Sequence, residues 1–459
     1  MATALTKRIR GWMMFDWAQQ PIFTLGLTFI FGPYFAGVAQ NYFETGGADP
    51  ETAKAHAQSL WSAGQTLSGL FIAISAPILG AWAERTGRKM NWIAGFSIVY
   101  FLCAWSLWGL MPEGQGIYIA LILFNVGIVA AEYGLNFTNS ILPSLGNDRE
   151  IGAISGKAMA VGYWGGVISL IIMLTLFEDS SGKTYIGIDP ILGLDPEKRE
   201  GTRAVGPVIA IWYAVFMIPF FLWVKDDQIV TKTSAKLREA IADLWGSVKQ
   251  VRKSDSLTSF LVGSMFYRDG LNALYAFGGV YATFVLGWET MQIGIFGIVA
   301  AITAAIFTWI GGLSDRAFGP KPVISVTILI LSGVCLTLIL MTREQIGPIA
   351  LAEGSNLPDI LMYICGAVIG GAGGTLQASS RSMMVRHINP ARPTEGFGLY
   401  ALSGRATAFL APMLITGATL WTGNTRLGLT PIILLFLLGL LMLRWVKPEG
   451  DRSAWVAQA

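Results

Sequence analysis

The chain has 459 residues, of which 53% are hydrophobic and 13% charged, and its formal net charge is +3. Soluble domains carry about 25% charged residues, and the 3 Cys and 2 His are too few for a disulfide-stapled secreted domain or a zinc finger. The apolar content excludes a disordered polymer, and a net charge of +3 over this length is too small for a nucleic-acid binder.

Apolar runs of about 20 residues recur along the chain and predict an all-α membrane protein with twelve transmembrane spans. The first six lie near 12–38, 59–83, 91–111, 117–142, 155–177 and 205–224. The second six lie near 257–286, 290–314, 322–342, 359–386, 399–423 and 428–446. Lys7, Arg8 and Arg10 precede the first run, and no small-residue cleavage site follows, so a retained first span is expected. Cys103, Cys335 and Cys365 all fall inside apolar runs and are expected as core residues. The segment 225–256 holds seven Lys or Arg and five Asp or Glu. In it Leu237, Ile241, Leu244, Trp245, Val248 and Val251 recur at helical spacing, which predicts a basic amphipathic helix on the inner membrane surface, tethering two halves. The expected organisation is a six-helix bundle over 1–224, a linker over 225–256, a second six-helix bundle over 257–446 and a tail over 447–459. With the N-terminus inside, 23 of the 32 Lys and Arg fall on inner segments and helix ends. That bias places both termini and the linker in the cytoplasm, with a bacterial inner membrane as the expected location.

Two landmarks occur twice. GAWAERTGRK (80–89) follows the second span and GGLSDRAFGPK (311–321) follows the eighth. Gly80, Glu84, Arg85 and Gly87 thus have counterparts in Gly311, Asp315, Arg316 and Gly319, with one extra residue before Gly319, and a base follows each turn, Arg88 in the first and Lys321 in the second. Ser155-Gly156-Lys157 opens the fifth span and Ser403-Gly404-Arg405 the eleventh. Two pseudo-symmetric six-helix halves follow. An acid followed by Arg at a helix end can bond to a neighbouring helix end, and glycine permits the close approach, so these turns read as a gating latch. Tight basic turns that merely set orientation are the plainer alternative.

These turns resemble the signature Gly-x-x-x-Asp-Arg-x-Gly-Arg-Arg of the major facilitator superfamily, with Glu84 in place of the usual Asp. MFDWAQQPIFTLGLTFIFGPYF (14–35), ISGKAMAVGYWGG (154–166), FYRDGLNAL (266–274), QASSRSMMVRHINP (377–390) and GFGLYALSGR (396–405) are similar to the autophagy-related vacuole-effluxer group and its bacterial relatives. The resemblance implies the twelve-helix fold and a small-solute carrier; yeast-type members are associated with amino-acid efflux. Gln19-Gln20 and Arg268 depart from the group's Asn-Ser and Asn.

Ionisable groups inside a span cost about 2.5–3.5 kcal/mol each at its centre. Five occur: Asp16, Glu132, Arg268, Asp269 and Arg381, in spans 1, 4, 7 and 10. In the superfamily those four spans line the central cavity. Asn125, Glu132, Asn136 and Asn139 share one helical face. Gln377 and Arg381 are one turn apart, and Gln20 and Asn272 add to the candidate solute or ion site. Each charge has a structural alternative. Asp16 could cap or gate, Arg268 could pair with a carboxylate of the other half, and Arg381 could snorkel to the surface.

Ser181-Gly182-Lys183-Thr184 echoes a phosphate-binding loop, but the required earlier glycine is Phe177. His56 and His387 are too far apart to suggest a metal site, and nothing resembles a nucleophile–base pair. The chain is therefore expected to be a non-enzymatic, monomeric secondary transporter with no cofactor, a symporter or antiporter working by alternating access. It would move a small solute, such as an amino acid, coupled to protons, sodium or another cation. A lipid or amphiphile carrier of the same fold, and a receptor or assembly factor that transports nothing, are the alternatives.

Overall fold

The structure, a computed structural model, describes residues 2–177, 183–226, 236–288, 290–452 and 455. Ser181 and Gly182, and residues 227–235 of the linker, lie outside the described residues. The first span, Leu5–Thr45, is interrupted. It consists of α1 (Ala2–Pro21), a π-wound stretch Ile22–Phe29, and α2 (Phe31–Thr45). Pro21 supplies no backbone N–H to the helix. Beyond it the Ile30 N–H reaches five residues back, to the Leu25 carbonyl at 3.1 Å, as π-winding requires.

Spans 2 to 6 are α3 (Pro50–Thr86), α4 (Lys89–Ser106), α5 (Ile117–Asn139), α6 (Asp148–Ile172) and α8 (Val205–Trp223), with a short α7 (Glu200–Arg203) before the last. The linker forms α9 (Leu237–Val251). Then come α10 (Asp255–Leu286), α11 (Thr290–Phe318), α12 (Pro320–Leu340) and α13 (Leu357–His387). The eleventh span is broken into α14 (Pro393–Arg405) and α15 (Leu410–Thr422), and α16 (Thr430–Met442) is the twelfth. A two-residue hairpin, Gln345–Ile346 against Ile349–Ala350, joins α12 to α13.

Among the described residues 11 helices are long and apolar enough to cross a membrane, and α10 is not one of them. Its 32 residues would reach about 48 Å, more than the roughly 30 Å hydrocarbon core. Arg268, Asp269 and Asn272 at its middle dilute the apolar character. With α10 the protein has the twelve helices of the major facilitator fold. Two helices start earlier than their apolar runs because polar caps extend them. The Thr52 N–H donates to Asp49 at the head of α3 at 3.1 Å. At α6, Asn147 and Glu150 form a reciprocal capping box, with Glu150 N–H on Asn147 Oδ1 at 3.1 Å and Asn147 N–H on Glu150 Oε2 at 3.0 Å.

The chain forms two compact units, Met1–Ile72 with Arg88–Thr138 and Val161–Ile229, and Ala73–Gly87 with Asn139–Ala160 and Val230–Ala459. In the first unit α1 lies directly on α6, because Gly162, Gly165 and Gly166 have no side chain. A Cβ on Gly165 would stand 2.7 Å from the Trp17 carbonyl oxygen. Phe124 stacks on Phe31 and Trp61, with ring centres 5.2 and 5.0 Å apart, and seals the core of this unit. In the second unit α13 packs on α11 with backbones almost touching: a Cβ on Gly370 would lie 2.0 Å from the Ala300 carbonyl oxygen. Small residues at such crossings are how membrane helices gain contact when both sides are already apolar.

Candidate functional site

The polar residues of the first unit are drawn to different neighbours. α1 begins at Ala2, so Asp16 lies well inside the helix and is not the N-cap its position had allowed. It is half-buried against Gly162 of α6. Gln19 donates its Nε2 to the Ala131 carbonyl at 2.8 Å and ties α1 to α5, and Gln20 rests on Gly166. Asn125 turns toward α3, accepting from Gln65 Nε2 at 3.3 Å beside Gly64. Glu132 is half-buried one turn before Asn136. Asn136 is only 7% exposed, and its Nδ2 has no hydrogen-bond partner among the described residues. A buried donor left unpaired costs about 1–3 kcal/mol, which a polar ligand there would recover.

In the second unit Asp269 and Arg268 face different partners. Asp269 is buried, and its carboxylate accepts from the Ala411 N–H at 3.1 Å. Ala411 is the second residue of α15, so a carboxylate from α10 caps the half-helix that begins after the break at 406–409. Negative charge at a helix N-terminus is stabilised by the helix dipole, and broken helices in carriers present such ends to ligands. Arg268 donates to the Tyr400 carbonyl at 2.9 Å and stacks over the Tyr400 ring at 4.3 Å. Gly404 leaves the room it occupies: a Cβ there would be 2.3 Å from the guanidinium carbon. Among the described residues Arg268 forms no ion pair, so the alternative of a carboxylate partner is not what this arrangement contains. Asn272 is exposed and Gln377 half-buried. The Tyr267 and Tyr400 hydroxyls both meet Ser380, at 2.5 and 2.6 Å. Sequence reasoning passed over this trio because none is charged; the adjacency of Tyr267 to Arg268 and of Ser380 to Arg381 was the one available signal, and Tyr400 carried none.

Residues 80–87 of the first duplicated turn and all of the second, 311–321, are also in the second unit. Glu84 accepts from the Thr394 N–H at 2.5 Å, capping the first turn of α14. Gly80 permits this, since a Cβ there would lie 2.6 Å from the Thr394 carbonyl oxygen. Asp315, 1% exposed, packs onto Gly152 in the second turn of α6 and accepts from Ser382 Oγ at 3.4 Å. Each acid therefore sits near the start of a helix, Glu84 by a backbone hydrogen bond and Asp315 by packing alone. Gly87 and Gly319 have φ of +63° and +84°, conformations that side chains disfavour, which explains a glycine in both turns. Gly311 fits against Thr375. Arg85 pairs with Glu239 of α9 at 2.5 Å, while Arg88 and Arg316 are exposed.

Arg381 does not snorkel. It is 4% exposed and donates to Ser155 Oγ at 2.8 Å, to the Ser155 carbonyl at 2.7 Å and to Asn139 Oδ1 at 3.2 Å. Further along, Arg386 donates to the Asp148 carbonyl at 3.1 Å, and Arg452 pairs with the Asp148 carboxylate at 3.1 Å. Three arginines thus hold the turn and first residues of α6, together with Asp315. Replacing Glu84 by Ala should raise hydrogen exchange at the Thr394 and Glu395 amides about tenfold, the worth of one charged cap. Glu84→Gln should recover part of that protection. Equal exchange in all three proteins would show that the carboxylate does not hold α14.

Twelve membrane helices in this order, with Asp16, Glu132, Arg268, Asp269 and Arg381 within four of them, mark a multi-pass membrane transporter of the major facilitator type. The family model described as "Vacuole effluxer Atg22 like" matches residues 5–454, and the chain belongs to that family. It is similar to the uncharacterized MFS-type transporter YxiO of Bacillus subtilis, with 23% identity over 98% of this chain and 97% of that one. Autophagy-related protein 22 of Cryptococcus neoformans is 22% identical over 67% of this chain and 52% of its own length. Among solved structures the MFS proton:xylose symporter XylE superposes with a TM-score of 0.66 at 11% identity, covering 98% of each chain.

Proposed function

We propose that this transporter is a secondary carrier that moves a small polar solute by alternating access, driven by a proton or another cation. The observation that carries this reading is Asn136, a buried side chain whose Nδ2 donor is unpaired, one turn from Glu132 on α5. Glu132 and Asn136 suit a solute with a cationic or hydroxyl group, and an amino acid fits that description. Asp269 is the second coupling candidate: neutralising it weakens the cap on α15, so proton loading and helix movement become linked. The moving bodies in this scheme are bundles 1–224 and 257–446, with both termini cytoplasmic. Glu84, Asp315 and Arg381 form the inner latch. The amphiphile alternative has one observation behind it, an apolar recess lined by Phe277, Tyr281, Ile415, Thr416, Thr419 and Leu420.

Reconstituted vesicles test the proposal once thermal-shift screening has identified a solute. Wild-type protein is expected to accumulate it under an imposed proton or sodium gradient. Glu132→Gln should abolish accumulation yet retain the thermal-shift response of a folded protein. Accumulation that survives in Glu132→Gln removes the coupling role, and the absence of any solute-dependent flux in wild-type vesicles removes carriage altogether.

A further inference from the structure

The outward face of α9 has a composition that tethering two bundles does not require. Arg238, Ile241, Trp245, Lys249 and Arg252 are all exposed, Trp245 by 63%. At 100° per residue they fall within an arc of about 100°. The opposite side is turned in: Ala240 is buried, and Leu244, Ser247 and Val251 are partly so. The apolar residues that read as one face in the sequence are therefore divided between an inner and an outer face. The rotation of α9 is fixed at both ends. Glu239 pairs with Arg85 at 2.5 Å, and Thr258 Oγ1 donates to the Val251 carbonyl at 2.7 Å. Glu239 falls by helical position outside the outward arc.

We propose that this stripe is a docking surface for the headgroups of an anionic lipid leaflet. Trp245 and Ile241, one turn apart, enter at headgroup level, where an amphipathic ring is at home. Arg238 on one side and Lys249 and Arg252 on the other engage lipid phosphates. Single exposed apolar residues are ordinary. An indole and an isoleucine bracketed by three cations, on a helix next to twelve membrane spans, match the interfacial signature in both composition and charge. A soluble acidic partner would complement the cations but would have no need of the exposed indole at their centre. The inference does not depend on the transport reading.

The test uses the full-length protein in nanodiscs of phosphatidylcholine, with or without phosphatidylglycerol. Hydrogen exchange of the α9 amides is expected to slow at least about tenfold when the anionic lipid is present, and to recover at high salt as screening grows. Each basic side chain removed should weaken the effect about fivefold, so the combined Arg238→Gln, Lys249→Gln, Arg252→Gln variant should lose it. Unchanged exchange in α13 checks that this variant is folded. If α9 exchanges equally in the two lipid mixtures, or the triple variant keeps the lipid-dependent slowing, the stripe is a solvated face or belongs to another partner and the proposal fails.

Discussion

Replacing Arg381 by Ala is expected to have the largest effect of any single change at the buried polar residues. The guanidinium donates twice to Ser155 and once to Asn139 and is almost completely buried. Removing it deletes those bonds and strands the Ser155 carbonyl and the Asn139 amide oxygen inside the protein, a cost of roughly 3–5 kcal/mol. Arg381→Lys keeps the charge but presents one nitrogen where the guanidinium presents three, so most of the loss should remain. Two measurements separate local from global consequences. The apparent melting temperature in detergent should fall in both variants. A cysteine placed at Ser140, which is buried and accepts from Thr394 Oγ1 at 3.1 Å, reports on the turn itself. The three native cysteines are buried and give a quiet background. A polar maleimide should label Ser140→Cys about a hundredfold faster in the Arg381→Ala background, since roughly 3 kcal/mol corresponds to about two decades. Unchanged labelling, with melting also unchanged, would mean that Arg381 holds nothing shut.

The spans were legible because a run of apolar residues is dictated by the bilayer alone. Even α10, the least apolar, was recognisable from its flanks, although Arg268 and Asp269 interrupt it. The break in the eleventh span was not legible. Arg405-Ala406-Thr407-Ala408-Phe409 contains neither Gly nor Pro, and the interruption is sustained from another helix, by the Asp269 carboxylate on the Ala411 N–H. No local pattern can reveal a cap supplied from so far along the chain. The stripe on α5 shows a related limit. Periodicity put Asn125, Glu132, Asn136 and Asn139 on one face, and they share it. A face nonetheless meets several neighbours along its length: Asn125 reaches Gln65, and Asn139 reaches Arg381. The duplicated turns were more informative. Reading the same acid twice led to an expected bond with a neighbouring helix end; Glu84 makes one with Thr394 at the start of α14, whereas Asp315 packs on Gly152 near the start of α6 and bonds to Ser382 of α13. The partners, Thr394 and Gly152, could not be chosen from spacing, because tertiary packing selects them.

Gly156→Val should open the same region by a different physical route. Gly156 and Gly312 are in backbone contact: a Cβ on Gly156 would lie 2.5 Å from the Gly312 Cα and 2.8 Å from the Thr308 carbonyl oxygen. Those atoms belong to the main chain and cannot swing aside as a flexible side chain would, so α6 and α11 must separate to admit a branched residue. Overpacking of this kind costs about 1–3 kcal/mol. Separation would also pull Gly152 from Asp315 and Ser155 from Arg381, which lie on the same two turns of α6. Labelling of Ser140→Cys should therefore rise in Gly156→Val as it does in Arg381→Ala, whereas Gly246→Ala, with nothing within 4 Å of its new methyl, should leave it unchanged. The combined Gly156→Val, Arg381→Ala protein decides whether the two changes act on one latch. If α6 is already displaced by valine, the guanidinium has no Ser155 left to hold, and the second change should add little. Such non-additivity is expected only of residues that share partners. Effects on labelling that simply multiply in the double variant would mean that the glycine contact and the arginine bonds close separate parts of the protein.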